Sequence, residues 1–161
     1  HLDMVRCGIA LCGLRPSAEV EMVVPVRPAM ALKSRVARIR TLPAGSSISY
    51  NRTYTTTRPT PVALVPVGYG DGYRRGLSNK GAVLIHGQRA PIIGRICMDQ
   101  FMVDVSAILD IRQDDEVVLL GRQGEGEINA EEIGAWVGTN NYETVAAILP
   151  RIPRIYLSRK Q

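Results

Sequence analysis

Short runs of apolar, often β-branched residues recur along most of the chain, separated by clusters of Gly, Pro, Asn and Asp. On that pattern Val20–Val26, Val62–Val67, Ala82–His86, Ile92–Ile96, Met102–Val105 and Glu116–Leu120 read as strands. Leu32–Leu42 reads as one longer strand with imperfect alternation, Ala37 and Ile39 on one face and Arg38 and Arg40 on the other. Val83-Leu84-Ile85, then His86-Gly87-Gln88-Arg89, then Ile92-Ile93 predicts a hairpin. Helical spacing is confined to the last third. Asn129-Ala130-Glu131-Glu132 fits a capping box, with Asn129 as N-cap and Glu132 at the third helical position. Ile133, Trp136 and Val137 follow at helical spacing, and Gly138 is a stop. A second short helix is expected from about Asn141 to no later than Pro150, and Ile155-Tyr156-Leu157 predicts a closing strand. Many short strands joined by turns imply a mainly β fold, a barrel or sandwich, with one or two short helices near the C-terminus.

The first thirty residues differ. Met4-Val5 and Gly8-Ile9-Ala10-Leu11 are apolar around Arg6 and suggest one strand of something larger. Although Val20–Val26 has strand-like composition, Leu14–Met30 carries Pro16, Pro25 and Pro28 and reads as a connection. The N-terminus has an early Asp3 and no apolar core, so a signal peptide is not expected. No apolar run reaches the ~18 residues of a membrane-spanning helix.

Composition narrows this picture only partly. With 161 residues, 45% hydrophobic and 22% charged, the chain fits about one globular domain and excludes a wholly disordered, collagen-like or coiled-coil protein. The net charge is +5, and of the 20 basic residues only Lys33, Lys80 and Lys160 are lysine. Arginine presents a planar fork that matches carboxylate and phosphate groups. That leaves open both a phosphate- or carboxylate-handling site and a basic nucleic-acid-binding β-barrel. The low aromatic content, 5%, argues against the latter because it leaves few stacking platforms for bases. Cys7, Cys12 and Cys97 form no C-x-x-C pair and read as free thiols of a reducing compartment. Gly68-Tyr69-Gly70-Asp71-Gly72 is not a dinucleotide fingerprint, because the spacing is wrong and no helix follows. His1 and His86 are too few for a histidine metal site or a hydrolase triad, so no metal is expected.

Several linked motifs then occur in order. They are Met4-Val5-Arg6-Cys7-Gly8-Ile9, Ala31-Leu32-Lys33-Ser34-Arg35-Val36, Ser49-Tyr50-Asn51-Arg52-Thr53-Tyr54 and Gly68-Tyr69-Gly70-Asp71-Gly72-Tyr73. Gly94-Arg95-Ile96-Cys97-Met98-Asp99-Gln100, Asn141-Tyr142-Glu143 and Arg151-Ile152-Pro153-Arg154 complete the set. Together they resemble the C-terminal part of the bacterial alanine racemase family, whose members use pyridoxal 5'-phosphate (PLP), and the match covers nearly the whole chain. The resemblance implies a β-barrel-like C-terminal domain over residues 28–161. It also implies that residues 1–27 are the last strand of an N-terminal (β/α)₈ barrel and its connection. It further implies a cytoplasmic, head-to-tail homodimer interconverting L- and D-alanine for peptidoglycan, in which this domain completes the site on the partner's barrel. The family's PLP lysine lies upstream of this chain, and Lys33 is not assigned that role, so the chain alone is expected to be inactive. A preference for serine or a broader range of amino acids stays open, as does a role chiefly as a dimerisation scaffold.

Residue by residue, Tyr50 matches the catalytic tyrosine. Racemisation removes the α-proton on one face and returns a proton on the other, a task suited to two acid/base groups on opposite faces. A free phenol, with a pKa near ~10, needs neighbouring positive charge to act as a base at neutral pH. Arg6 matches the arginine facing the pyridine nitrogen of PLP. Being always cationic, it leaves that nitrogen unprotonated and so limits side reactions. Gly8 and Ile9 match phosphate-binding backbone N–H groups, and Tyr142 matches a tyrosine whose hydroxyl bonds the same phosphate, at the start of a helix. Met98 matches a residue whose N–H meets the substrate carboxylate. Tyr69, Arg75, Arg95 and Asp99 match residues of the entryway, where arginines would attract and orient a carboxylate. The chain departs from the family at Asn51, where Gly is frequent, at Gly70, where Ala is common, and at Cys7 and Cys12, which replace Pro and Tyr. Asn tolerates a left-handed backbone, so the turn at Asn51 is expected to survive.

Overall fold

The computed structural model describes residues 3–17 and 19–157; His1 and Lys160, counted above, lie outside the described residues. The strands are β1 (Leu32–Arg35), β2 (Arg38–Leu42), β3 (Ser47–Ile48), β4 (Tyr54–Thr55), β5 (Thr60–Val65), β6 (Ala82–Ile85), β7 (Gln88–Ile93), β8 (Phe101–Asp104), β9 (Glu116–Gln123) and β10 (Gly126–Ile128). Two short helices follow, α1 (Ala130–Val137) and α2 (Asn141–Ala146). The main sheet is antiparallel and runs β1-β9-β6-β7-β8-β5-β2, with β10 added on β9. β3 and β4 form a separate two-stranded ribbon.

The edge strands β1 and β2 are joined only by Val36 and Ala37. Two residues cannot cross a flat sheet of this width, since an extended chain advances at most about 3.6 Å per residue. The sheet therefore curls until its edges meet. The link is stitched to both sides: the Val36 N–H donates to the Asp115 carbonyl at 2.9 Å and the Ala37 N–H to the Leu64 carbonyl at 2.9 Å. Val83, Leu84, Ile85, Ile92, Phe101, Val103 and Val117–Leu119 are all nearly inaccessible and form one core. Burying each such side chain stabilises the fold by roughly 1.5–3 kcal/mol.

The β6–β7 hairpin forms as the pattern indicates. Ile85 faces Gln88 across a two-residue turn in which His86 (φ 52°) and Gly87 (φ 74°) are both left-handed, the conformation that matches strand twist. The Asn129 side chain accepts from the Glu132 N–H at 2.8 Å, and Gly138 (φ 79°) ends α1. Asn140 caps α2 in the same way, accepting from the Glu143 N–H at 2.9 Å.

Four expectations are corrected. Leu32–Leu42 is two strands, because its halves pair with opposite edges of a curled sheet, β1 with β9 and β2 with β5. Val20–Val26 forms no strand; it lies in the proline-bearing connection, outside every strand pairing. The expected strand around Val5–Leu11 is instead irregular up to Gly8, followed by a 3₁₀ turn over Ile9–Cys12. Ile155-Tyr156-Leu157 adds no closing strand; it is more than 80% exposed and pairs with no strand. A strand has no independent stability without a partner ladder.

The N-terminal segment is nevertheless packed. Ile9 and Leu14 are buried in the main core. Gly13 (φ 79°) passes so close to the Arg27 carbonyl that a Cβ there would lie 1.8 Å from its oxygen. No helix among the described residues is long and apolar enough to cross a membrane.

Candidate functional site

Tyr50 sits on a 3₁₀ turn, Tyr50–Arg52, that joins β3 to β4. Three residues of this turn have positive φ: Ser49 (φ 63°, ψ −173°), Asn51 (φ 61°, ψ 11°) and Arg52 (φ 47°). Asn51 adopts the left-handed backbone expected of it. Ser49 occupies a region open in practice only to glycine, at a strain on the order of 1–3 kcal/mol. Surrounding contacts hold it there. The Ser49 hydroxyl donates to the Arg95 carbonyl at 2.7 Å, and its oxygen lies 3.4 Å from Cys97 Sγ. Gly94 (φ 77°) lies against Ile48, where a Cβ would come within 2.9 Å of the Ile48 carbonyl oxygen. Asn79 ties the two segments together, its amide donating to Thr53 Oγ1 at 3.1 Å and its oxygen accepting from the Gly94 N–H at 2.6 Å. Tyr50 itself is 69% exposed.

Beside this turn is an open cleft of about 580 Å³, lined by Ser49, Tyr50 and the Cys97–Met102 segment. Residues 97–100 end the connection from β7 to β8, closed by the Cys97 N–H donating to the Gln100 carbonyl at 2.9 Å. The glycine cluster packs backbone against backbone on this loop. The Tyr69 N–H donates to the Cys97 carbonyl at 3.0 Å and the Gly70 N–H to the Met98 carbonyl at 2.8 Å. A Cβ on Gly68 would lie 2.2 Å from both carbonyl oxygens, so only glycine permits this approach. The Met98 carbonyl is thus engaged, whereas no hydrogen bond among the described residues occupies the Met98 N–H.

An ion network underpins the loop. Asp71 is buried; its Oδ2 accepts from the Gly68 N–H at 2.8 Å and its Oδ1 from Arg151 Nε at 2.6 Å. Arg151 also donates to Asp99. Burial alone would raise the Asp71 pKa, but the bonds from Arg151 and Gly68 and the adjacent guanidinium outweigh it and hold the carboxyl below its ordinary value. The same bonds, to Asp71 and then Asp99, push the Arg151 guanidinium further up.

A second group of nominated residues lies apart from the cleft lining. Tyr142, the second residue of α2, places its hydroxyl 4.0 Å from where a Cβ on Gly8 would be. Asn141 makes this possible, its amide donating at 2.7 Å both to the Arg15 carbonyl and to Glu131, which ties the N-terminal segment to both helices. Among the described residues no hydrogen bond occupies the N–H groups of Gly8 or Ile9. Arg6 is exposed, and none of Arg6, Gly8, Ile9 and Tyr142 lines the Tyr50 cleft.

Of the entryway candidates, Asp99 lines the cleft, and Tyr69 packs behind it through its backbone. Arg95 is half-buried, with its Nε unpartnered among the described residues, and Arg75 is exposed. Lys33 lies on β1, ion-paired to Glu116 at 2.9 Å. Ser49, Asn79, Asp71, Asn141 and Arg151 were not nominated. Asp71 and Arg151 stand inside quoted motifs, but their pairing across 80 positions leaves no mark in either motif. Among the described residues no cluster of His, Cys, Asp and Glu could hold a metal ion.

Known proteins share this sequence and fold. The family described as alanine racemase, C-terminal domain, matches residues 29–156. The alanine racemase of Desulfosudis oleivorans is 51% identical over 157 residues, covering 97% of this chain and 40% of that protein. That of Halothermothrix orenii is 48% identical, covering 98% of this chain and 42% of that protein. Among solved structures, alanine racemase from Clostridium difficile 630 superposes with a TM-score of 0.91 at 44% identity, over 98% of this chain and 41% of that one. An alanine racemase of Bacillus anthracis, solved with bound L-Ala-P, superposes with a TM-score of 0.90 at 40% identity, over 94% of this chain and 39% of that one. The chain thus spans about two fifths of the length of the relatives it matches.

Proposed function

Because this chain belongs to the alanine racemase family, as its C-terminal domain, we propose that it is the part of a PLP-dependent alanine racemase that carries the catalytic tyrosine, Tyr50. In this reading residues 28–161 are the C-terminal β domain and residues 1–27 the end of the cofactor-binding barrel with its connection. The enzyme is a cytoplasmic head-to-tail homodimer that supplies D-alanine for peptidoglycan. The observation that carries the reading is that Tyr50 and Met98 line one cleft, each on a loop hydrogen-bonded to its neighbours, with no hydrogen bond among the described residues on the Met98 N–H.

The residues divide into two half-sites. Met98 donates its N–H to the carboxylate of alanine, which places Cα beside Tyr50. Tyr50 Oη gives or takes a proton on one face of Cα. Such a positioned acid/base group contributes typically ~10²–10⁴-fold in rate. Tyr69, Arg75, Arg95 and Asp99 form the approach, where the guanidinium groups attract the carboxylate.

The other half-site suits a phosphate. Among the described residues no hydrogen bond occupies the N–H groups of Gly8 and Ile9, and the Tyr142 hydroxyl lies 4.0 Å from where a Cβ on Gly8 would be. These residues would hold the PLP phosphate, with Arg6 at the pyridine nitrogen. PLP, when bound, withdraws electrons from Cα and makes its proton acidic. The absence of Tyr142, Gly8 and Arg6 from the Tyr50 cleft supports two half-sites completed by different subunits.

The test is a chimera in which this chain replaces the matching part of the relative that is 51% identical. It should racemise alanine, and Tyr50→Phe should lower the rate by about 10²–10⁴-fold. This chain alone, given PLP and alanine, should show no activity. A chimera that folds, binds PLP and works equally well with phenylalanine at position 50 overturns the reading.

A further inference from the structure

The backbone at Ser49 is harder to explain than the side chain at Tyr50. A serine in a conformation that glycine fills without strain raises the question of what glycine would lack. It would lack the hydroxyl that donates to the Arg95 carbonyl at 2.7 Å. That bond ties the residue before Tyr50 to the segment between β7 and the Met98 loop. Arg95 and Met98 are three positions apart, and the Cys97 thiol between them also touches the Ser49 hydroxyl, at 3.4 Å. The Tyr50 ring is 69% exposed and is itself held by little, so its aim depends on its backbone.

We propose that Ser49 is a positioning residue for Tyr50. Its hydroxyl locks the tyrosine turn to the Arg95–Met98 segment, so that the proton-moving phenol and the carboxylate-binding N–H keep one fixed relation. Glycine at this position would relax the backbone but free the turn. Displacing a reacting group by about 1 Å can cost on the order of 10²-fold in rate. Because Tyr50 serves one face of Cα, the loss falls on the step that uses that face. The inference rests on the assignment of Tyr50 made above.

Two variants and two measurements test it. In the chain itself, 15N relaxation reports the order of the Tyr50 amide. We expect a rigid value, about 0.85, in the parent and a fall toward about 0.6 in Ser49→Gly and Ser49→Ala. In the chimera, both variants should slow racemisation by about tenfold or more. The α-deuterium isotope effect should rise in one direction of racemisation only. The unfolding midpoint of Ser49→Gly should stay at or above that of the parent, since strain is relieved as a bond is lost. Unchanged amide order, an α-deuterium isotope effect that stays the same in both directions, or a midpoint and activity that fall together would each overturn the proposal. If Tyr50→Phe leaves the chimera fully active, the Tyr50 assignment fails first. If Tyr50→Phe disables it while both Ser49 variants match the parent, only the Ser49 proposal fails.

Discussion

Two tyrosines of this chain show how position decides chemistry. Tyr73 is fully enclosed and stacks on Phe101, with ring centroids 5.3 Å apart and planes at 24°. Its hydroxyl has no partner among the described residues, and burial pushes its phenol far above the ordinary value. Tyr50, of the same residue type, stands in an open cleft. A buried, unpaired hydroxyl costs about 1–3 kcal/mol, so Tyr73→Phe should stabilise the chain by roughly 1 kcal/mol, read as a higher urea midpoint at unchanged slope. A lower midpoint would show that the hydroxyl is satisfied in solution.

At the scale of elements, the turns around the cleft are held by a few side-chain bonds more than by regular secondary structure. Asp71 links the glycine cluster to Arg151, and Arg151 reaches Asp99 at the cleft. The folded-state pKa of Asp71 lies below its ordinary 3.8. Its stabilisation is therefore full above about that pH and is lost as pH falls through the lower folded value. Asp71→Asn should lower stability at neutral pH by about 1–2 kcal/mol, and the gap from the parent should narrow below about pH 3.8, followed by thermal unfolding across an acid series. In the chimera, Arg151→Met should loosen the Met98 loop and, on the roles proposed for Met98 and Tyr50, raise KM for alanine and lower kcat together, by on the order of tenfold in kcat/KM. The helix caps are independent of the cleft: Asn129→Ala should cost about 1 kcal/mol without altering KM, measured by denaturation and steady-state kinetics.

For the whole molecule, the core reaches further than a boundary drawn at residue 28. Arginines pair locally with acids, Arg74 with Glu143, Arg89 with Glu132 and Arg122 with Glu127. The arginine excess is thus partly absorbed within the fold. Ile9 and Leu14 belong to the same core as the sheet. A version trimmed to residues 29–156, the span the family match covers, should lose about 3 kcal/mol or more relative to the full chain, seen as a lower denaturant midpoint. Met4, Val5, Leu11, Val23 and Val24 are at least 65% exposed. The full chain should self-associate with rising concentration in sedimentation, and the trimmed version much less.

The apolar runs determined most of the strands, the β6–β7 hairpin, the capped helix α1 and the place of α2, because each follows from local spacing. The ordered motifs determined the family and nominated Tyr50, Met98 and Tyr142. Tertiary structure decided where Leu32–Leu42 breaks, because the break depends on where a curled sheet brings its edges together. It also decided that Val5–Leu11 and Ile155–Leu157 are not strands, since a ladder needs a partner that no local pattern supplies. The strained Ser49 and the Asp71–Arg151–Asp99 network appeared only in three dimensions, because each depends on groups 46 to 80 positions apart that only the folded chain brings together.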